Sequence, residues 1–268
     1  MKKLLSVIMA AGLVAATLVG CNGKAPAADA TDWDYIKNKN EIVVGITLYE
    51  PMNYYDENGK LIGFDTEFAE EVSAIVGVPV KFQEIEWDQK EVELKSKAID
   101  CIWNGLTVTE DRKENMAFSK SYVVNEQVVV INKANADKYK SLADMQGIKV
   151  CAESGSAGES AIEADANLST GSYLGCSAQK DALLEVKAGT CDAAVLDLTL
   201  AKAVINEDTD YSDLMILEGA SLQSEEYAIG FRLEDTETVK KVNDAIDQLV
   251  ANGKLAELGE KYGVDVIK

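Results

Sequence analysis

The feature that most constrains this chain is a succession that occurs twice: a short apolar run, a loop rich in glycine and hydroxyl residues, and a helix entrance. It is found at Ile99-Asp100-Cys101-Ile102-Trp103 followed by Asn104-Gly105-Leu106-Thr107-Val108-Thr109-Glu110-Asp111-Arg112, and again at Ile148 to Ala152 followed by Glu153-Ser154-Gly155-Ser156-Ala157-Gly158. An apolar run of strand length reads as a buried strand, and hydroxyl residues with acids behind them read as the start of a helix. Strands that alternate with helices pair in parallel in an α/β layer, which gathers the loops at their carboxyl ends on one edge.

The rest of the chain extends this pattern. Glu41 to Ile46 is a β-rich run, Tyr49 to Tyr55 is an aromatic loop containing Pro51, and Asn58-Gly59 is a hairpin signal. Asp65 or Thr66 is expected to cap a helix with the stripe Phe68, Val72 and Ile75. Val78 to Phe82 reads as a strand, and a short helix near Glu91 to Lys97 carries Val92 and Leu94. The second α/β unit has further strands at Tyr173 to Cys176 and Ala193 to Leu196, with a helix at Asp181 to Lys187 between them. Two β runs, Glu126 to Asn132 and Glu226 to Phe231, flank this unit, so the chain is expected to cross into a second lobe and return. Val239, Val242, Ile246 and Leu249 form a helical stripe that stops at Asn252-Gly253, and Leu255, Leu258 and Tyr262 continue on a shorter helix.

Composition narrows the chemistry. With 47% apolar and 27% charged residues, the 268-residue chain has material for a core. A formal charge of −20 argues against nucleic acid as a partner, since phosphate neutralisation needs clustered Lys and Arg. The chain has no His, which removes the Ser-His-Asp triad and most zinc sites; no metal and no cofactor is expected.

Lys2 and Lys3 precede an apolar stretch from Leu4 to Val19, too short for a comfortable membrane span, so residues 1–20 read as a secretory signal. The tetrad Leu18-Val19-Gly20-Cys21 resembles the bacterial lipobox, which implies lipidation of Cys21 and a membrane anchor, with residues 21–31 as a flexible linker. Beyond Cys21, Cys101, Cys151, Cys176 and Cys191 permit disulfides in an exported protein, and spacing leaves their pairing open.

The stretch from Asn104 to Arg112 has two readings by itself: a capped helix with a surface arginine, or a grip on an anion. In the second, loop N–H groups, the Thr107 and Thr109 hydroxyls and the Arg112 fork converge on one carboxylate. Four motifs in order then carry a resemblance over nearly the whole chain from about residue 41 to 263. They are Leu61-Ile62-Gly63-Phe64-Asp65, Asn104 to Arg112 with Phe118-Ser119 after it, Glu153-Ser154-Gly155-Ser156, and Gly189 to Asp197. Together they resemble the solute-binding proteins of polar amino-acid ABC transporters, bacterial extracellular family 3.

The resemblance implies an α/β, two-lobed, periplasmic-binding-protein-like fold (type II) with two crossing hinge strands. Lobe 1 would comprise residues 32–128 plus 226–268, and lobe 2 residues 129–225. It implies a non-enzymatic extracellular receptor that takes an amino acid between the lobes and delivers it to an ABC permease. The protein would be a monomer, lipid-anchored on the outer face of the cytoplasmic membrane or periplasmic. A dehydratase of the same fold and a ligand-sensing domain are the alternatives.

Carried over by position, Arg112 would hold the ligand α-carboxylate, helped by the Thr107 hydroxyl and by N–H groups near Thr107 and at Ser156-Ala157. Asp197 would hold the α-ammonium with the Gly105 carbonyl, and Tyr49 and Trp87 would flank the side chain. Glu153, with Glu50 near the same cleft, suits a polar ligand with a cationic or amide side chain. Trp103 and Asn104 are also expected at the pocket.

Overall fold

The computed structural model describes residues 31–267. The expected signal segment 1–20 and Cys21 lie outside the described residues, as does the linker except for Thr31.

The first half of the chain forms α1 (Asp32–Lys39), β1 (Ile42–Ile46), β2 (Tyr54–Tyr55), β3 (Leu61–Ile62), α2 (Phe64–Val76), β4 (Val80–Glu84), α3 (Lys90–Lys95), β5 (Cys101–Ile102), α4 (Glu110–Asn115) and β6 (Ala117–Phe118). It continues as β7 (Val123–Asn132), β8 (Lys149–Glu153), α5 (Ala157–Ala164), β9 (Ser172–Cys176), α6 (Gln179–Lys187), β10 (Ala193–Asp197) and α7 (Leu198–Val204). The last stretch is β11 (Leu214–Tyr227), β12 (Gly230–Phe231), α8 (Thr236–Ala251) and α9 (Lys254–Tyr262).

Ten of these strands build two five-stranded sheets, ordered β4-β1-β5-β12-β6 and β11-β7-β10-β8-β9. In the first, β1 lies parallel to β4 and β5; in the second, β8 lies parallel to β9 and β10. β7 follows directly on the first sheet and enters the second, and β11 leaves the second sheet just before β12. These two strands pair antiparallel from Asn132 and Leu214 down to Val123 and Tyr227. They are the crossing strands, and each sheet with its helices is one lobe.

The apolar periodicities explain the packing. α2 buries Phe64, Phe68 and Val72, α8 buries Val242, Ile246 and Leu249, and α9 buries Leu255 and Leu258, all in one cluster over the first sheet. Phe68 meets Trp103 edge to face at 5.1 Å and is fully buried, a side chain whose burial contributes about 1.5–3 kcal/mol. In the second lobe α6 and α7 cover one face of the sheet, through Leu183, Val186 and Leu200, and α5 covers the other through Ala161 and Ile162.

Several local expectations are corrected. The residue before α2 is Gly63, with no side-chain cap. Asp65 and Thr66 lie inside the helix and point inward, Asp65 to the Gly105 N–H and Thr66 to Asn53. Ile75 is exposed because the buried stripe runs through Phe64, Phe68, Ala69 and Val72, and Val92 is exposed while Leu94 is buried. The strand expected over Ile99–Trp103 is only Cys101–Ile102, since Trp103 turns away into the core against Phe68. β11 begins twelve residues earlier than the expected run at Glu226; its register shifts between Ile216 and Gln223 break the alternation that would mark a strand. Cys101, Cys151, Cys176 and Cys191 are buried free thiols.

Candidate functional site

The site forms where loops from both lobes meet beside the crossing strands. In the first lobe Thr109 caps α4, its Oγ1 accepting from the Arg112 N–H at 3.2 Å. Arg112 therefore lies in the first turn, where its side chain folds inward and is buried. Its Nη1–H donates to the Thr107 carbonyl at 2.8 Å, and its Nη2–H donates across the cleft to the Gly155 carbonyl at 3.2 Å. A guanidinium has five N–H donors, so three remain beyond those two. Burial lowers its pKa, and the carboxyl groups of Glu225 and Asp197 oppose that shift.

The loop before α4 is held open by its neighbours. Gly105 has φ +57°, and a Cβ there would sit 2.6 Å from Tyr49 Cε1, so only glycine lets the Tyr49 ring close over the loop. Its N–H donates to Asp65 Oδ2 at 2.7 Å; burial raises the Asp65 pKa to about 7. Thr107 bridges Tyr227 through two flanking bonds, Val108 N–H to Glu226 and Ala228 N–H to Leu106, so the Thr107 N–H lies outside that ladder. The Thr107 hydroxyl donates to Glu225 Oε1 at 3.0 Å. The Asn104 amide is committed to the neighbouring loop after β1, donating to the Thr47 carbonyl and to Asn53 Oδ1 and accepting from Thr47 Oγ1.

In the second lobe Ser156 caps α5, accepting from the Glu159 N–H at 3.1 Å, which leaves the first helical N–H groups, beginning at Ala157, directed out of the helix end. Asp197 ends β10 and is buried. Its Oδ1 accepts from Asn125 Nδ2 at 2.8 Å and Gln127 Nε2 at 2.6 Å, and its Oδ2 accepts from Gln179 Nε2. A carboxylate offers about four lone-pair sites, so one on Oδ2 stays available. The same two amides also donate to Glu225 Oε1, at 2.7 and 2.9 Å. Burial, and then the nearby Asp197 charge, push Glu225 up to about 8. Burial and Asp197 likewise push Glu153 up to about 8, against the pull of Lys90 and Arg112.

These groups line one common, nearly closed cavity between the lobes. Ten of the residues expected from the sequence border it: Tyr49, Trp87, Asn104, Gly105, Thr107 and Arg112 from the first lobe, and Glu153, Ser156, Ala157 and Asp197 from the second. Thr47 and Gln179, which sequence reasoning missed, border it too. Trp103 does not: it packs in the core against Phe68. Glu50 is likewise absent from the lining and pairs with Lys180 at 2.8 Å. Asn125, Gln127 and Glu225 were also missed. Asn125 and Gln127 stand two apart on β7, on either side of Glu126, which puts both on one face of the strand, and both are buried.

Chemically, the cavity has a cationic fork and free N–H groups on one side and a buried carboxylate on the other. That arrangement is complementary to a zwitterion.

The family model described as Bacterial extracellular solute-binding proteins, family 3, matches residues 42–265. The L-cystine-binding protein TcyA of Bacillus subtilis is 30% identical, with 100% of this chain and 99% of that protein covered. The arginine-binding extracellular protein ArtP of Bacillus subtilis is 27% identical, with 98% of each covered. An ABC uptake transporter substrate binding protein from Streptococcus pneumoniae, solved with bound histidine, superposes with a TM-score of 0.80 at 32% identity, over 88% of this chain and 98% of that one.

Proposed function

The chain belongs to the bacterial extracellular solute-binding proteins, family 3, and from that premise we propose that it captures a free amino acid between its lobes and delivers it to an ABC permease for import. The observation that carries the reading is that Arg112 of one lobe and Asp197 of the other border the same cavity. The α-carboxylate would take the free Arg112 donors with the Thr107 and Ala157 N–H groups. The α-ammonium would take the open lone pair of Asp197 and the Gly105 carbonyl. A ligand held at both ends favours the closed arrangement of the lobes, which is the state a permease can distinguish from the empty one.

Tyr49 and Trp87 would pack on the ligand side chain, and Glu153 favours a side chain that is cationic or carries an amide. The relatives that bind cystine, arginine and histidine are consistent with a polar ligand. The family and these relatives are binding proteins, and absence of turnover in this chain belongs to the proposal, as do a monomeric state and the lobe boundaries at 128/129 and 225/226. Family members face the periplasm or the exterior; anchoring through a lipid on Cys21 rests on the tetrad at residues 18–21.

The test is a thermal-shift screen of the twenty amino acids and cystine, with product analysis of each mixture. A ligand present at about 100 times its Kd stabilises by about 2.7 kcal/mol. At least one polar amino acid is expected to raise the transition and to be recovered unchanged. No shift with any of them, or chemical conversion of the one that binds, would overturn the proposal.

A further inference from the structure

The loop that carries Ser156 and Ala157 is held from the opposite lobe by Lys90, which does not border the inner cavity. Lys90, at the start of α3, is 5% exposed, yet no carboxylate is bonded to it among the described residues. Its Nζ donates to its own lobe's Trp87 carbonyl at 3.1 Å and across the cleft to the Gly155 carbonyl at 2.9 Å. It also lies over the Trp87 ring, 4.7 Å from the centroid. The Gly155 carbonyl is the same atom that Arg112 reaches at 3.2 Å. Two buried cations of lobe 1 thus converge on one backbone oxygen of lobe 2.

That convergence is unfavourable in itself, because the cations repel and both are desolvated. Burial, and then Arg112, push the Lys90 pKa down to about 8. An anion arriving between the lobes relieves the repulsion. Once a ligand carboxylate occupies the Arg112 fork, Lys90 keeps the Gly155 carbonyl.

The consequence for the anion loop is geometric. Gly155 C=O and Ser156 N–H belong to one planar peptide unit, so fixing the carbonyl fixes the plane that leads into α5. The other groups of the turn are already placed: Gly155 N–H donates to Glu159 Oε2 at 2.6 Å, and Ser156 N–H donates to the Glu153 carbonyl at 3.2 Å. The loop also sits tightly against the first lobe. Gly155 has φ +72°, and a Cβ there would lie 3.1 Å from Asp88 Cα and 3.4 Å from Lys90 Nζ. Lys90 and Gly155 border an outer, solvent-open hollow of about 860 Å³, which Arg112 and Ala157 border as well. Since Arg112 and Ala157 also line the inner cavity, the Lys90–Gly155–Arg112 contact stands between that cavity and solvent.

We propose that Lys90 is a positioning residue for ligand binding: by gripping the Gly155 carbonyl across the cleft it sets the helix-entrance N–H groups that begin at Ala157 against the ligand carboxylate and seals the site from water. It rests on the reading of this cleft as an amino-acid site. Lys90→Met keeps an unbranched stem over Trp87 and removes the donor; Lys90→Arg keeps a donor and a charge.

Two measurements decide the matter. In full-length protein saturated with L-cystine, L-arginine or L-histidine, amide hydrogen exchange over residues 154–158 is expected to be about ten times faster in Lys90→Met than in wild type, the size of one lost charged hydrogen bond, and to be restored in Lys90→Arg. In stopped-flow fluorescence, with L-cystine, L-arginine and L-histidine as probes, Lys90→Met is expected to raise the dissociation rate about tenfold or more while the association rate stays within about twofold. Unchanged exchange in the loop, or an unchanged dissociation rate, would overturn the role of Lys90. Wild-type protein that binds none of the three probes would overturn the amino-acid reading on which the role of Lys90 rests, whereas binding with unchanged exchange would overturn the role of Lys90 alone.

Discussion

The sharpest prediction concerns Arg112. Replacing it by Met removes the cationic fork and keeps an unbranched apolar stem. The structure sets the size of the effect. The guanidinium is buried and borders the cavity, two of its donors hold the Thr107 and Gly155 carbonyls, and three donors remain beyond those two. The ligand carboxylate would lose a two-bond partner, and the cavity would hold an uncompensated carboxylate beside Glu153 and Asp197. Truncating one partner of such a desolvated charge pair costs about 2–5 kcal/mol, which is roughly a thirtyfold to several-thousandfold rise in Kd. Arg112→Lys separates charge from geometry. It retains the cation without the fork, and its Kd should fall between those of wild type and Arg112→Met. The assay is isothermal titration with the tightest amino acid from the screen, followed also by fluorescence because Trp87 borders the cavity. Circular dichroism and the ligand-free Tm report whether the variants fold. A folded Arg112→Met protein whose Kd lies within about threefold of wild type would refute the clamp.

Two further outcomes follow from buried groups. Asp65, Glu153 and Glu225 have pKa values raised in the folded protein to about 7, 8 and 8, chiefly by burial. The folded state therefore binds more protons than the unfolded chain between about pH 4 and 8, and these groups contribute stability below the unfolded carboxyl pKa that is lost as pH rises through those values. Urea unfolding of the ligand-free protein should show lower stability at pH 8 than at pH 5, on the order of a few kcal/mol. Equal or greater stability at pH 8 would contradict the burial argument, while Glu153→Gln with Glu225→Gln should flatten the slope. Gly105→Ala places a Cβ 2.6 Å from Tyr49 Cε1 at φ +57°, so the variant should lose about 1–3 kcal/mol of stability and bind more weakly. Stability within about 0.5 kcal/mol of wild type in the same assay would show that the loop relaxes freely.

Much of the architecture is written in local pattern. The alternation of apolar runs and helical stripes is set by periods of 2 and 3.6 residues, and these placed β1, α6, β10, α8 and α9 close to where they lie. The chemistry of Asn104 to Arg112 is legible for a similar reason: a cap, a glycine and an arginine at fixed offsets make a helix entrance whatever surrounds it. Where patterns are short or irregular the sequence is silent. β6 is two residues long, and the shifted register of β11 breaks its alternation. Asp65 has the composition of a cap, but the fold needs its carboxylate for the Gly105 N–H forty residues away.

The sequence by itself determined which residue types could form a carboxylate grip and an ammonium acceptor, because side-chain chemistry and short-range spacing belong to the chain. Only the tertiary structure decided how they are used. Arg112 and Asp197 are 85 positions apart, and long-range packing brings them to one cavity. The same packing spends the Thr107 hydroxyl on Glu225, joins Asp197 to Asn125, Gln127 and Gln179, and aims Lys90 at Gly155. Partners distant in sequence leave no local period, so hydrogen bonds between them are settled only when the lobes and crossing strands are in place.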